Sequence, residues 1–131
     1  MESSTKKSFN LLLVEDNVLN QRLVYLHLNR LGFSIDIASN GVEAIERYKA
    51  QPYDFILMDL MMPLMNGFEA THCIRQIEKE TGKHTPIIGL TANTFDADRE
   101  KCLNRGMDEY LSKPFDVNSF YRVLKLLGIT D

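Results

Sequence analysis

Leu11-Leu12-Leu13-Val14-Glu15-Asp16-Asn17 sets four apolar residues directly against two acids and an amide. An apolar run this short and this continuous reads as a strand buried on both faces. A helical pattern follows at once. Asn20, Val24, Leu28 and Leu31 fall on one face, and Gly32 stops the helix. The two acids therefore stand where a buried strand ends and a helix begins. The same unit recurs along the chain. Residues 33–38 alternate as a strand should, and Asn40 with Glu43 three positions on has the reciprocal capping pattern for a helix that runs to Ala50, before Pro52. Residues 55–58 form a third apolar run, and a loop with Pro63 and Gly67 leads into a helix ending near Gly82. Residues 86–90 are a fourth strand, and a helix from Asp96 or Ala97 to Arg105 closes at Gly106. Residues 109–112 are a fifth strand, and a last helix over 117–127 ends at Gly128. Strands alternating with helices predict an α/β fold, a doubly wound five-stranded parallel sheet flanked by five helices. Right-handed crossovers place every strand-to-helix turn on one rim, where such sheets bind ligands.

The remaining composition narrows the classes. A chain of 131 residues holds one domain, expected over 9–131 behind a polar, disordered leader at 1–8. With 44% hydrophobic and 25% charged residues and a net charge of −3, it has no general attraction for nucleic acid or anionic lipid. Cys73 and Cys102 fall in separate helices without metal or redox spacing and read as reduced thiols. No apolar run approaches the roughly 18–20 residues that cross a bilayer, and no hydrophobic stretch long enough for a signal peptide follows Met1 to Ser8, so a cytoplasmic location is expected.

The polar residues at the strand ends carry the chemistry. Glu15, Asp16 and Asp59 are acids on the same rim, Thr91 closes the fourth strand and Lys113 follows the fifth. Each has an ordinary reading. Acids favour helix N-termini, lysines are usually solvated, an aspartate or threonine often caps a loop. Together they suggest more, because clustered carboxylates repel unless a cation joins them, and oxygen-only ligands select Mg²⁺, or Mn²⁺ in its place, over zinc. Beside such an ion Asp59 is placed to attack a phosphoryl donor. Lys113 precedes Pro114, which holds it extended over the rim and permits a cis bond. Thr91, between Asp59 and Lys113 in sheet order, is a donor for a phosphoryl oxygen. His27, His72 and His84 are unclustered and read as surface or edge residues, and Met58, Met61, Met62 and Met65 read as core and loop filler. Glycine-rich phosphate loops and Ser/His or Cys/His hydrolase patterns are absent.

Four stretches then stand out together: Leu12-Leu13-Val14-Glu15-Asp16-Asn17; Met58-Asp59-Leu60-Met61-Met62-Pro63 with Gly67; Leu90-Thr91-Ala92-Asn93; and Gly106-Met107-Asp108-Glu109-Tyr110-Leu111-Ser112-Lys113-Pro114-Phe115. In this order they resemble a response-regulator receiver (CheY-like) domain over residues 10–127. Asn17 with Asn20-Gln21, Glu69-Ala70-Thr71 and Cys102-Leu103-Asn104-Arg105-Gly106 are similar to receivers of hybrid histidine kinases and phosphorelays. The departures are Asn66 where Asp is usual and Gly89 where Ala is common. The resemblance implies a flavodoxin-like strand order 2-1-3-4-5. It also implies that Asp59 takes a phosphoryl group from a phosphohistidine on a histidine kinase or histidine phosphotransfer protein. Asp16, Asp59 and the Met61 carbonyl would bind Mg²⁺, with Glu15 acting through water. Lys113 and Thr91 would contact phosphoryl oxygens, and Tyr110 would be the aromatic switch that follows Thr91. The fourth helix, fifth strand and fifth helix would be the responding surface, read by a downstream protein effector. Slow autodephosphorylation, tuned at Met61 and Asn93, would be the only turnover, so the chain is not expected to be an enzyme in its own right. It is expected to be a monomer or a phosphorylation-dependent dimer.

Three other readings compete. A phosphatase of the haloacid dehalogenase type also uses an aspartate nucleophile with Mg²⁺, but it needs a second aspartate two residues on, where Met61 stands. A flavodoxin-like flavin module would find its phosphate repelled by Glu15 and Asp16. The chain also fits a segment of a larger hybrid kinase, whose catalysis would lie outside it.

Overall fold

The central strand β1 (Asn10–Val14) pairs in parallel with β2 (Ser34–Ala38) on one side and β3 (Phe55–Asp59) on the other. β4 (Ile87–Thr91) and β5 (Glu109–Ser112) extend the sheet past β3, also in parallel, to give the order β2-β1-β3-β4-β5. The connecting helices are α1 (Val18–Arg30), α2 (Gly41–Ala50), α3 (Gly67–Thr81), α4 (Asp96–Asn104) and α5 (Val117–Leu126). The computed structural model describes residues 9–92 and 96–130. The expected leader at 1–8 and Asn93 lie outside the described residues.

Alternation within the apolar runs builds two cores. Leu11 and Leu13 join Phe55, Leu57, Ile88 and Leu90 beneath Val24 and Leu28 of α1 and Phe120, Val123 and Leu124 of α5. Leu12 and Val14 point the other way, with Ile56, Met58 and Ile87, against Ala44 of α2, Ala70 and Ile74 of α3 and Cys102 of α4. Because both faces are covered, residues 11–14 are all fully buried. Burying each such side chain favours folding by about 1.5–3 kcal/mol. Phe33, Phe55 and Phe120 meet edge-on or tilted at centroid distances of 5.7–6.0 Å and close the first core.

Two local expectations are corrected. Phe33 does not begin β2. Its N–H donates to the Leu28 carbonyl at 3.1 Å, so it belongs to the turn that ends α1, and Gly32 takes a φ of 93° there. At α2 the Asn40 side chain accepts from Glu43 N at 2.9 Å, but the Glu43 carboxylate returns to Ser39 N at 2.8 Å rather than to Asn40. The reciprocal box forms instead at α3, between Asn66 and Glu69.

Glycine is needed at two places by close approach. A Cβ on Gly67 would stand 2.3 Å from the Asp59 carbonyl oxygen, so only glycine lets α3 begin against the end of β3. A Cβ on Gly89 would lie 2.8 Å from Met107 Sδ and 3.1 Å from Leu60 Cδ2. Here Met107 and Leu60 fill the space that an alanine would take.

At the rim opposite the strand carboxyl ends, Arg75 of α3 donates to Glu78 at 2.6 Å, Asp108 at 2.7 Å, the Thr85 carbonyl at 2.9 Å and the Gly106 carbonyl at 2.9 Å. Asp108 also accepts from Ile87 N and contacts His84 Nε2 at 2.6 Å. Glu78 accepts from Thr85 N and the Tyr48 hydroxyl. Burial acts against the Glu78 charge, but these donors outweigh it and lower its pKa. His84 is thus an edge residue, as expected, yet a paired one.

Candidate functional site

β1 ends at Val14, and the next residue, Glu15, is held on every side. Its N–H donates to the Ala38 carbonyl at 3.0 Å, and its carbonyl accepts from Gln21 Nε2 at 2.6 Å. Its carboxylate accepts from Asn17 N at 3.1 Å and faces Lys113 Nζ at 3.2 Å. Asn17 caps α1 by accepting from Asn20 N at 2.9 Å. Glu15 is buried and Asp16 beside it is exposed.

Asp59 is the last residue of β3 and is only 3% exposed. Its Oδ1 receives Met61 N at 3.3 Å and lies 3.2 Å from Lys113 Nζ. Lys113 follows β5, joins Pro114 through a cis peptide, and its own N–H donates to the Thr91 carbonyl at 2.7 Å. That bond ties the end of β5 to the end of β4, so Thr91, buried, sits on the strand between those that carry Asp59 and Lys113.

One carboxylate oxygen from each of Glu15, Asp16 and Asp59 lies within 4.8 Å of the others. Among the described residues this is the one such acidic group, and a single ammonium, Lys113, faces it. Two negative charges are left over. Burial, then the charge of Glu15, pushes the Asp59 carboxyl up to about 6, against the opposing pull of Lys113 and the Met61 N–H. Lys113 moves upward as well, because Asp59 and Glu15 outweigh its own burial. Hard oxygen donors, an excess of two negative charges and one exposed member open to solvent fit a small divalent cation, whose oxygen distances of about 2.0–2.1 Å suit such a cluster.

The structure thus brings Glu15, Asp16, Asp59 and Lys113 together, with the backbone of Met61 against Asp59 while its side chain is 80% exposed. Tyr110 stands apart. It is half-buried on β5, packed against the α2–α4 core, and lines a cleft with Arg99, Ser112, Arg122 and Leu126. Sequence reasoning placed Gln21 only in the family-like stretch with Asn17 and Asn20 and gave it no role, because a bond to a main-chain carbonyl leaves no mark in a sequence. It also missed that α1 exposes Val18, Leu19, Leu23 and Leu26, although the helix is visibly apolar on more than one face.

A doubly wound parallel sheet with acids and a lysine at its carboxyl rim defines the class of open α/β domains that act at their strand ends. Residues 11–125 match the family of the response regulator receiver domain, and the chain belongs to that family. It is 43% identical over 118 residues, 86% of the chain, to hybrid signal transduction histidine kinase I of Dictyostelium discoideum. It spans only 7% of that kinase's length, and 6% of a second kinase from the same organism. Among solved structures, the receiver domain of a Pseudomonas aeruginosa sensor histidine kinase, with a magnesium ion coordinated in its active-site cleft, matches at 41% identity and a TM-score of 0.80, over 92% of this chain and 97% of that one. A co-crystal structure of a Saccharomyces cerevisiae histidine phosphotransfer signalling protein with the receiver domain of its downstream response regulator matches at 33% identity and a TM-score of 0.85, over 93% of this chain and 90% of that one. The α/β fold with strand order 2-1-3-4-5 is as expected. Among the described residues no helix is long and apolar enough to cross a membrane.

Proposed function

We propose that the chain, over residues 9–131, is the phosphoacceptor module of a two-component phosphorelay and that Asp59 is its acceptor. The observation that carries this reading is the convergence of Glu15, Asp16 and Asp59 within 4.8 Å beneath Lys113 Nζ. An Asp59 oxygen attacks the phosphorus of a phosphohistidine. The P–N bond breaks, its electron pair returns to the imidazole nitrogen, and an O–P bond forms to give an acyl phosphate. Mg²⁺, or Mn²⁺ in its place, would be held by Asp16, Asp59 and the Met61 carbonyl, with Glu15 through water, and would offset the about −1.5 to −2 charges that the phosphate adds. Lys113 and the Thr91 hydroxyl serve the phosphoryl oxygens, each such charged hydrogen bond contributing about 1.5–3 kcal/mol. Lys113 already joins Glu15 and Asp59, so the new charge redistributes a contact that exists. Thr91 then draws inward and Tyr110 follows, remodelling the α4–β5–α5 face for an effector.

The donor is a histidine kinase or a histidine phosphotransfer protein. The exposed row of Val18, Leu19, Leu23 and Leu26 on α1, beside the acidic rim, is the surface on which it docks. The setting is cytoplasmic, and the chain is a monomer or a dimer formed on phosphorylation. Apart from slow hydrolysis of its own acyl phosphate it is not an enzyme. Met61, where a haloacid-dehalogenase phosphatase needs a second aspartate, speaks against phosphatase turnover.

Incubation with acetyl phosphate or a phosphohistidine donor, with and without Mg²⁺, tests the assignment. The intact mass should rise by one phosphoryl group only with the metal, and hydroxylamine should remove it. Labelling on a hydroxyl or imidazole, or none with the metal present, overturns the reading. Thr91→Ala should still label but leave the Tyr110 environment, read by ring proton shifts, at its unphosphorylated position. The raised Asp59 pKa gives a third expectation. Protons compete with the metal below it, so calorimetry should show Mg²⁺ affinity level above about pH 6 and falling by about tenfold per unit below.

A further inference from the structure

We propose that Gln21 is a positioning residue for the metal site, its side-chain amide fixing the peptide between Glu15 and Asp16 and so the Asp16 carboxylate. The inference rests on the phosphoacceptor reading above and concerns a residue to which that reading gives no role.

Asp59 and Glu15 are held by burial and by Lys113, but Asp16 is exposed and no packing immobilises it. Its direction follows the plane of the peptide before it. That plane would turn about the Cα–C bond of Glu15, because the Glu15 N–H is fixed to Ala38 at 3.0 Å and its carboxylate to Asn17 N and Lys113. The Glu15 carbonyl is the handle on this rotation, and Gln21 Nε2 grips it at 2.6 Å. Gln21 is itself anchored. Its backbone N–H donates to the Asn17 carbonyl at 2.9 Å, closing the first turn of α1, and its amide lies 3.3 Å from Ser39 Oγ. Ser39 in turn donates its N–H to Glu43 at 2.8 Å, at the start of α2. One amide therefore connects α1, the end of β2 and the start of α2 to the single carboxylate that lacks other support. Groups that orient metal ligands in this way change metal affinity about 10–100-fold when removed. Acting through a peptide rather than on the ligand itself, Gln21 should fall at the lower end.

The test compares the parent chain with Gln21→Met, which keeps the volume and loses the donor, and Gln21→Asn, which keeps the amide and loses the reach. Calorimetric titration with MgCl₂ alone, without phosphodonor, should show Kd weakened by about tenfold in both. With acetyl phosphate, the Mg²⁺ concentration for half-maximal labelling should rise in the same ratio while the rate at saturating Mg²⁺ stays at the parent value. A purely structural role would lower the saturated rate and the metal-free melting temperature together. Ser39→Ala, which removes only the buttress of the amide, should weaken Kd in the same direction by a smaller factor and covers the case in which a Gln21 variant folds poorly. A parent that binds Mg²⁺ alongside variants all within roughly twofold of it overturns the role of Gln21 alone. A parent that binds no Mg²⁺ overturns the metal site and this inference with it.

Discussion

Asp59→Asn should take up no phosphate from acetyl phosphate at any Mg²⁺ concentration, and its metal-free form should melt several degrees above the parent. The first effect follows from loss of the nucleophilic oxygen pair. The second follows from the electrostatics of the rim in the metal-free protein. Asp59 has a folded pKa near 6 against an ordinary value of 3.8, so the folded protein binds more protons than the unfolded chain between those values. Stability is therefore lost as pH rises through that window, and above about pH 6 the ionised carboxylate carries a cost of about 1–3 kcal/mol. Asparagine removes the charge and keeps the shape. Its advantage should be present at pH 7, shrink below pH 6 and vanish below about 3.8, as read by thermal melts across pH. A variant less stable than the parent at pH 7 would mean that the Lys113 contact at 3.2 Å outweighs burial and the Glu15 charge.

Gly67→Ala should be the most damaging small substitution near the site. The added methyl would meet the Asp59 carbonyl oxygen at 2.3 Å and Met58 Cγ at 3.0 Å, and the first of these is backbone, which yields least. Either the start of α3 or the end of β3 must shift. Overpacking of this kind costs about 1–3 kcal/mol. Urea denaturation should show that loss, and Mg²⁺ affinity should fall with it because the strand end carrying Asp59 is displaced. Alanine at Gly89 is the natural control, since the nearest atoms there, Met107 Sδ and Leu60 Cδ2, belong to side chains that can move.

How much of this was legible in advance depends on the kind of signal. The inner strands announced themselves because both sheet faces are covered there, which makes residues 11–14 and 55–58 continuously apolar, whereas the edge strand β2 was read from its alternation. Alternation of strands and helices implied a parallel sheet, and its full order 2-1-3-4-5 came with the family resemblance. The acids at the rim were visible because, although each alone has an ordinary reading, all of them fall at the carboxyl ends of buried runs. Other features had no such mark. Phe33 carries the apolar character of a strand, yet its N–H completes the turn after α1. Glu43 sits at capping distance from Asn40 but finds Ser39 N. Gly67 read as a loop glycine, because the atom that forbids a side chain there lies eight positions back in the chain, on Asp59. The Arg75–Asp108 pair joins residues 33 apart with no local pattern to link them.

That ion-paired cluster shapes how the domain can move. By binding Arg75, His84 and Ile87 N, Asp108 pins the first residues of β4 and β5 to the tail of α3, while Glu78 fastens the same corner to α2 through Tyr48. Parting such hydrogen-bonded charges would leave them poorly compensated, so this corner resists displacement. The amino-terminal end of the sheet is cross-braced by these charged groups, whereas its carboxyl rim is joined through the Lys113 N–H on the Thr91 carbonyl and Lys113 Nζ on Glu15 and Asp59. Under the proposed phosphoacceptor role, a pull on Thr91 or Lys113 is therefore expected to be spent as a local tilt at the carboxyl rim, like a reed fixed in its mouthpiece, and to pass sideways toward α5 rather than down the length of the strands.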